Sequence, residues 1–216
     1  INATSLNGSN GFRINGAANY DFFGRSVSSA EDFNGDGIDD LLIGADGVNS
    51  GTGSTYVIFG SSAPSAFTAT FNITSLAAGD GFRLDGVTTG DLTGRSVKSA
   101  GDVNADGFDD IVIGAPQANV AGSNVGSSFV VFGSSSLQPA TIALSGLDGT
   151  DGFRLNGISI GDQTGSAVSS AGDVNDDGLD DILIGAPGTD FNGSGSGSTF
   201  VVLGRSTSVS PILNLS

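Results

Sequence analysis

An internal repeat limits the folds open to this chain more than its composition does. Three nine-residue segments, at 32–40, 102–110 and 173–181, are near copies of one another. Their first residues, Asp32, Asp102 and Asp173, lie 70 and 71 residues apart, and the same short segments recur in the same order around each copy. A fixed period indicates that one supersecondary unit has been copied and that stacked units share a core. We therefore expect three similar modules.

Short apolar segments bounded by glycine make up most of each module. Because they are rich in β-branched and aromatic residues, they predict strands and not helices. In each module a first strand precedes the nine-residue segment, a second and a third follow it, and a Gly-Phe-Arg segment forms a fourth. The predicted positions are around Val27, Val97 and Val168 for the first strand, 41–44, 111–114 and 182–185 for the second, 54–60, 127–133 and 198–204 for the third, and 11–16, 81–86 and 152–157 for the fourth. The longer stretches 61–80 and 134–151 are predicted surface excursions, with a short extra strand at 71–74.

Each nine-residue segment carries the oxygen atoms that a calcium ion requires. Ca²⁺ binds six to eight oxygens, and here oxygen-bearing side chains occupy positions 1, 3, 5 and 9, with a main-chain carbonyl available at the apolar position 7. Glycine at position 6 permits the positive φ that folds these oxygens inward. We predict three Ca²⁺ sites. Their ligands are Asp32, Asn34, Asp36, Ile38 and Asp40; Asp102, Asn104, Asp106, Phe108 and Asp110; and Asp173, Asn175, Asp177, Leu179 and Asp181.

Asx turns and the EF-hand loop are the two structures whose sequences most resemble these segments. Asp, Asn and Gly are ordinary turn residues, so a run of Asx turns would give a similar composition, but three copies with identical ligand positions favour metal binding. The EF-hand requires Glu at position 12 and flanking helices. Position 12 is instead Ile43, Ile113 or Ile184, inside predicted strands.

The charge of the chain is concentrated in the same segments. The formal net charge is −16, and 13 of the aspartates lie within the three segments. Like charges at this range repel, so we expect the metal-free chain to be the less stable form. Nucleic-acid binding requires a basic surface, which an acidic chain does not offer. No apolar run approaches the roughly 18 residues that span a bilayer, so no membrane span is predicted.

Catalysis is not expected. The chain contains no His and no Cys, which removes the usual general base and thiol nucleophile, and the carboxylates are assigned to metal. Met is also absent, including at residue 1, so we interpret the chain as a mature or excised piece of a longer protein.

Two further short motifs flank the predicted strands. Before the first strand stand Phe23-Gly24, Thr93-Gly94 and Thr164-Gly165, and after the second stand Gly44-Ala45-Asp46, Gly114-Ala115-Pro116 and Gly185-Ala186-Pro187. With the acidic segments, this pattern resembles the FG-GAP repeat of integrin α-subunit propellers and their bacterial relatives, over nearly the whole chain. The first module keeps Phe-Gly and lacks the proline, and the other two do the reverse. The resemblance implies an all-β fold of three four-stranded antiparallel β-propeller blades, with the ion in the turn between the first two strands.

The predicted domain is a single three-repeat propeller segment spanning 1–216. It comprises a lone outer strand at 11–16 and blades at about 24–86, 94–157 and 165–204. Three blades are too few to close a ring, and propellers have four to eight. Blade 3 would be completed by strand 11–16 of the same or another chain. The ring would then be closed or extended by strand exchange between copies, by open head-to-tail addition, or by further repeats of a longer chain.

The expected function is that of a calcium-stabilised, self-associating structural or adhesion module, extracellular or at the cell surface, where calcium is abundant. The expected partners are other copies or neighbouring repeats, with a cell-surface protein or glycan as a further candidate. The alternatives are a carbohydrate-binding propeller, for which the chain offers no Trp and only Tyr20 and Tyr56 as polar aromatic platforms, and an accessory module of a secreted enzyme.

Other residues invite two interpretations each. Arg13, Arg83 and Arg154 would form a ligand-binding ring or, as we expect, pair with neighbouring aspartates, and Arg25 and Arg95 pose the same choice. The surplus carboxylates Asp39, Asp109 and Asp180 are expected to face solvent or to support the ligands without binding the ion. Glycosylation sequons begin at Asn2, Asn72 and Asn192.

Overall fold

The computed structural model describes residues 2–63, 68–77, 79–136, 138–206 and 209–215. This part of the chain forms short strands, one helical turn, α1 (Val48–Gly51), and three 3₁₀ turns (Ala3–Ser5, Ile73–Ser75, Leu144–Gly146). The strands are β1 Arg13–Asn15, β2 Ser26–Glu31, β3 Asp40–Ala45, β4 Ser54–Ile58, β5 Thr70–Asn72, β6 Gly81–Asp85, β7 Ser96–Gly101, β8 Asp110–Ala115, β9 Asn119–Val120, β10 Ser123–Asn124, β11 Ser127–Val131, β12 Thr141–Ala143, β13 Gly152–Asn156, β14 Ala167–Gly172, β15 Asp181–Ala186, β16 Ser198–Val202 and β17 Ile212–Asn214. None of the described helices has the length and apolar character needed to cross a bilayer.

The first two sheets have the same strand order. Sheet 1 runs β2-β3-β4-β6-β12, and sheet 2 runs β7-β8-β11-β13-β17. In both, the first four strands are antiparallel and coincide with the four strands predicted for a module. A fifth strand lies parallel to the fourth. It comes from the segment that follows the third strand of the next module along the chain. The predicted four-stranded blades are therefore present, each extended by one parallel strand.

The remaining strands form two incomplete sheets. Sheet 3 contains only β14-β15-β16, and no described strand pairs with the outer edge of β16. β1 pairs in parallel with β5, in the same relation as β6 with β12 and β13 with β17. The predicted extra strand at 71–74 is thus found at β5. The hairpin of β9 and β10 stands alone in an insertion of the second module.

A β-bulge ends the first strand of sheets 1, 2 and 3. The pairing register shifts between Ser29 and Glu31, and at the equivalent positions of β7 and β14. The last residue of each of these strands has a positive φ, 54° at Glu31, 73° at Gly101 and 65° at Gly172. A bulge of this kind bends the strand and increases its twist, which directs the chain out of the sheet and into the acidic segment.

Hydrophobic cores lie between the faces of successive sheets. One core packs Leu42, Val57 and Phe82 of sheet 1 against Ile113 and Phe129 of sheet 2. A second joins sheet 2 to sheet 3, and a third covers the opposite face of sheet 1 together with residues near β1 and β5. Because side chains alternate along a strand, each sheet buries residues on both of its faces. This arrangement is the blade-on-blade packing expected of a propeller.

The first strands of neighbouring sheets approach each other very closely. The hydroxyl of Ser26 donates a hydrogen bond to the carbonyl oxygen of Gly94 at 2.7 Å, and the Ser96 hydroxyl donates to that of Gly165 at 2.8 Å. A Cβ atom added at Gly44 would lie 2.0 Å from the Gly94 oxygen. The spacing between blades therefore requires glycine at Gly44 and Gly114, whereas a Cβ at Gly185 would meet no atom closer than 3.5 Å.

Candidate metal centres

The three acidic segments form the turns between the first and second strands, at the same end of each sheet. Glycine at position 6 has the predicted positive φ, 85° at Gly37, 88° at Gly107 and 86° at Gly178. Position 4 is also left-handed, although two of its three residues, Ala105 and Asp176, are not glycine. Only Gly35 in the first turn indicates this second left-handed residue from sequence, and in the other two turns the hydrogen bonds account for it.

The position 1 carboxylate organises each turn from within. Both oxygens of Asp32 accept backbone N–H groups, from Asp36 and Gly37, each at 2.9 Å. The Oδ1 atom of Asn34 also accepts the Asp36 N–H, at 2.8 Å, and Asp36 Oδ1 accepts the N–H of Ile38 at 2.9 Å. The same bonds recur in the other two turns. These bonds join the side chains of positions 1, 3 and 5 to the backbone N–H groups of positions 5, 6 and 7.

The position 9 carboxylate closes the turn against the sheet. Asp40, Asp110 and Asp181 are fully buried. Each Oδ1 accepts, at 2.8 Å, the N–H of the glycine that follows the third strand. In the second and third turns Oδ2 accepts the N–H of position 2, whereas Asp40 Oδ2 is buried and has no hydrogen-bond partner among the described residues. A buried carboxylate oxygen without a donor is the kind of atom that a cation stabilises.

Burial raises the pKa of two closing carboxylates, Asp40 and Asp110. The pKa of Asp40 rises to about 6 and that of Asp110 to about 8, chiefly because burial penalises the charged form. The N–H groups of Gly60 and Gly133 oppose the rise, while the carboxylates at positions 1 and 5 add to it. The carboxylates of one turn are therefore close enough to repel one another, and a bound cation would remove this repulsion.

The residue types of the turn fit a calcium ion. The hydrogen bonds within the turn show which side chain would have to reorient for the ion to bind. Among the described residues, no three acidic side chains already converge as a metal cluster. In the first turn the amide nitrogen of Asn34 donates to Asp36 Oδ2 at 3.2 Å. Ion binding would require this amide to present its oxygen instead. The ligand sets predicted from the sequence consequently remain a prediction.

A family model supplies independent information on the modules. The model described as FG-GAP repeat matches residues 23–58, 96–131 and 164–202, which together are just over half of the chain. This chain belongs to the FG-GAP repeat family. Each match contains the first three strands of one sheet and its acidic turn, so the three modules are FG-GAP repeats 1, 2 and 3 and the sheets are β-propeller blades.

Curated proteins similar to the chain contain the same repeats in a longer context. The chain is 31% identical to a phosphatidylinositol-glycan-specific phospholipase D of Dictyostelium discoideum, over 95% of this chain and 22% of that protein. It is 31% identical to integrin alpha-5 of Xenopus laevis, over 98% and 19%, and 35% identical to integrin alpha-IIb of Mus musculus, over 60% and 12%. The chain thus spans no more than about a fifth of these relatives.

The surplus carboxylates link successive FG-GAP turns. Asp109 of repeat 2 accepts the backbone N–H of Asp32 in repeat 1 at 3.0 Å, and Asp180 of repeat 3 accepts that of Asp102 in repeat 2 at 3.1 Å. The residue that follows each third-strand glycine adds a second bond to the preceding turn, since Ser134 N donates to Phe33 O at 3.0 Å and Arg205 N donates to Val103 O at 2.8 Å. Asp109 and Asp180, which were expected to face solvent or to support the ligands, thus each accept a hydrogen bond from the preceding turn. The sequence feature that corresponds to this link is the Asp-Asp pair at the end of each acidic segment.

The arginines of the fourth strands make three different contacts. Arg83 forms an ion pair with Asp85, with Nε 2.7 Å from Oδ1. Arg154 instead donates to the Ser127 hydroxyl and lies over the Phe129 ring, 5.5 Å from its centroid. Burial lowers the pKa of Arg154, and the negative charge of Asp91 partly offsets this effect.

Arg13 lies at the third equivalent position and makes a long hydrogen bond, 3.5 Å, to the Thr70 hydroxyl. An aspartate partner was expected for all three fourth-strand arginines and is found for Arg83, while Arg154 and Arg13 use hydroxyl groups.

Proposed function

We propose that the chain is a calcium-stabilised β-propeller segment of a longer extracellular or cell-surface protein, with a structural or adhesive role and no catalytic activity of its own. The observation that carries this proposal is the threefold recurrence of one oxygen-rich turn, with the same internal hydrogen bonds, at the same end of each blade. Similarity to integrin alpha chains over most of this chain supports the adhesive role and the location.

Calcium is the ion that best matches the chemistry of these turns. Each turn offers three carboxylates, one amide oxygen and one main-chain carbonyl, a hard oxygen set with no nitrogen or sulfur ligand. The ion would neutralise carboxylates whose pKa is raised by burial and mutual repulsion. It would also bridge the first two strands of each blade, so its role would be structural.

Titration calorimetry and thermal unfolding test the calcium proposal directly. We expect heat of binding for three ions and a Tm that rises with Ca²⁺ and falls with a chelator. Asp36→Asn, Asp106→Asn and Asp177→Asn should each remove one site. Asp80→Asn, which removes the same charge from an exposed residue outside the turns, should leave all three. Absence of binding heat together with a Tm insensitive to the chelator would refute the calcium role.

Self-association is the second part of the proposal, and the two incomplete sheets support it. β14-β15-β16 is a blade without its fourth and fifth strands, and β1-β5 is a fourth and fifth strand without a blade. Their sequences match these roles, because 11–16 repeats the Gly-Phe-Arg segment that pairs with β4 and β11 in the complete blades. We propose that β1 and β5 of one copy complete sheet 3 of a second copy by β-strand addition.

Exposed apolar residues at the two ends of the row of blades fit this head-to-tail contact. Val27, on the first blade, is 69% exposed, whereas its equivalent Val97 in the second blade is 6% exposed. Val201, on the third blade, is 51% exposed, whereas Val57 and Val130 are fully buried. Docking β1 and β5 on β16 would bring these two faces together, as blades pack within one chain.

Sedimentation velocity over a range of concentrations tests this association. We expect concentration-dependent oligomers that Val201→Asp weakens, while Ile160→Asp, at an exposed position in the loop between β13 and β14, has no effect. If the chain stays monomeric at every concentration, association between copies is wrong. If a longer fragment carrying more repeats is monomeric while this chain associates, then the outer edge of β16 pairs with a neighbouring repeat in the longer protein.

The similarity to a phospholipase D is the observation that favours a second candidate, an accessory module of a secreted enzyme. In that case the chain would support a catalytic domain elsewhere in the parent protein. Calcium-dependent hydrolysis of phosphodiester or glycoside substrates by this chain alone, abolished by Asp106→Asn, would contradict the non-catalytic assignment for the segment itself.

A further inference from the structure

A cleft lies between the first two blades at the ends opposite the acidic turns. β3 begins at Asp40, the last residue of the first turn, and Asp46 follows its other end. The cleft is lined by the loop before β2, the turn after β3 and the loop before β7, and its volume is about 480 Å³. This size is typical of a small-molecule site, and the acidic turns contribute nothing to it.

The base of the cleft carries two arginines on one carboxylate. Asp46 is buried, and its Oδ2 lies 2.9 Å from Arg95 Nη1 and 3.4 Å from Arg25 Nε. The other Asp46 oxygen has no hydrogen-bond partner in the part of the chain that the structure describes. Repeats 2 and 3 have Pro116 and Pro187 at this position, so this charged cluster occurs in repeat 1 alone among the three.

The two arginines retain unused hydrogen-bond donors. Their side chains are 42% and 40% exposed, and within the described part of the chain neither guanidinium makes a further hydrogen bond. Two positive charges against one negative charge leave a net positive spot on a chain whose formal charge is −16. Arginine donors of this kind suit a carboxylate, which they bind in a planar, bidentate manner.

Two exposed aromatic side chains form one wall of the cleft. Tyr20 is 81% exposed and Phe22 is 59% exposed. Tyr20 has φ 65°, at a position where repeats 2 and 3 have Gly90 and Gly161 with φ of 91° and 89°. A left-handed backbone strains a tyrosine, whose Cβ approaches the following carbonyl oxygen, and does not strain glycine. Because the ring is exposed, its burial offsets little of this strain, so folding does not explain the tyrosine.

We propose that this cleft binds a sugar that bears a carboxylate, such as a uronic acid residue of a glycan. The carboxylate is held by Arg25 and Arg95, and the apolar face of the pyranose ring stacks on Tyr20 and Phe22. A peptide fits less well, because peptides are commonly bound along a strand edge and this cleft is lined by loops. The overall negative charge of the chain also favours a ligand with one isolated carboxylate over a polyanion.

Calorimetry with a galacturonic acid disaccharide and with its methyl ester tests the proposal. We expect the acid to bind and the neutral ester to bind on the order of tenfold more weakly or not at all. Tyr20→Gly and Arg25→Ser, which install the residues of repeat 3, should each weaken binding to a similar extent. Arg13→Ser, which removes an exposed arginine outside the cleft, should leave binding unchanged.

Thermal unfolding separates loss of the site from loss of the fold. Tyr20→Gly should keep or raise the Tm, because it removes backbone strain and an exposed ring. The proposal is overturned if the disaccharide does not bind, if acid and ester bind equally, or if Tyr20→Gly leaves binding intact. It is equally overturned if an acidic peptide binds and the uronic acid does not. Calcium titration of the same samples is independent of these outcomes.

Discussion

Removing the Asp180 carboxylate should loosen the contact between repeats 2 and 3. Asp180 accepts the Asp102 N–H at 3.1 Å, and its own N–H donates to the Asp102 carbonyl oxygen at 3.2 Å. Asp180→Ala removes the first bond and leaves the second. A hydrogen bond to a charged group contributes about 1.5–3 kcal/mol. Because Asp180 is partly exposed, we expect a loss of about 1–2 kcal/mol, which lowers Tm by about 3–6 °C in a chain of this size.

Repeat 1 provides a matched control for this substitution. Asp39 occupies the same position as Asp180 but is exposed, and its side chain has no hydrogen-bond partner among the described residues. Asp39→Ala removes the same charge, so calorimetry at saturating calcium should show a Tm change within about 1 °C. Equal shifts for the two variants would show that general charge repulsion, and not the link between turns, determines the result. An unchanged Tm for Asp180→Ala would refute the link altogether.

Two further predictions concern the core and the response to pH. Phe129→Ala should lower the free energy of unfolding by about 3–5 kcal/mol in urea, because the ring is fully buried between the first two blades; Val201→Ala, at a half-exposed position, should cost less than about 1 kcal/mol, and similar losses would contradict the assigned core. In chelator, stability should fall as pH rises from about 4 toward 8, because the folded pKa of Asp110, about 8, exceeds its unfolded value, 3.8, so that the folded state holds the proton more tightly. Calcium should flatten this fall, and a metal-free Tm that rises over the same range would show that the sign is wrong.

Much of the fold was accessible from the sequence because it is encoded locally. The antiparallel strands follow from short β-branched segments such as that around Val57, and the left-handed residue at Gly37 follows from the composition of the turn. Each of these patterns also occurs three times, once in each module. The family match and the strand order confirm the predicted propeller blades.

The features that the sequence did not reveal depend on contacts between modules. The parallel strand β12 pairs with β6, more than 50 residues earlier in the chain. The three residues of β12 contain no sequence pattern that identifies β6 as the partner. The pairing of Asp46 with Arg95 joins two modules in the same way. An aspartate partner for Arg95 was expected from the sequence, but the sequence did not identify Asp46 as that partner. The oxygen-bearing residue types of the acidic turns were readable from the sequence, and their assignment as metal ligands stays a prediction. The amide orientation at Asn34 was not readable from the sequence, because it depends on hydrogen bonds within the folded turn.

The parallel fifth strand also interleaves the blades along the chain. Sheet 1 takes β12 from residues 141–143, beyond three of the strands of sheet 2 at 96–131, and sheet 2 takes β17 from residues 212–214, beyond sheet 3. No single cut between 86 and 140 can therefore divide the chain into two pieces that each keep a whole blade. Mechanical pulling should consequently release neighbouring blades in one joint event, and recombination that exchanges single repeats would preserve the fold only when the donor supplies the matching strand for its neighbour.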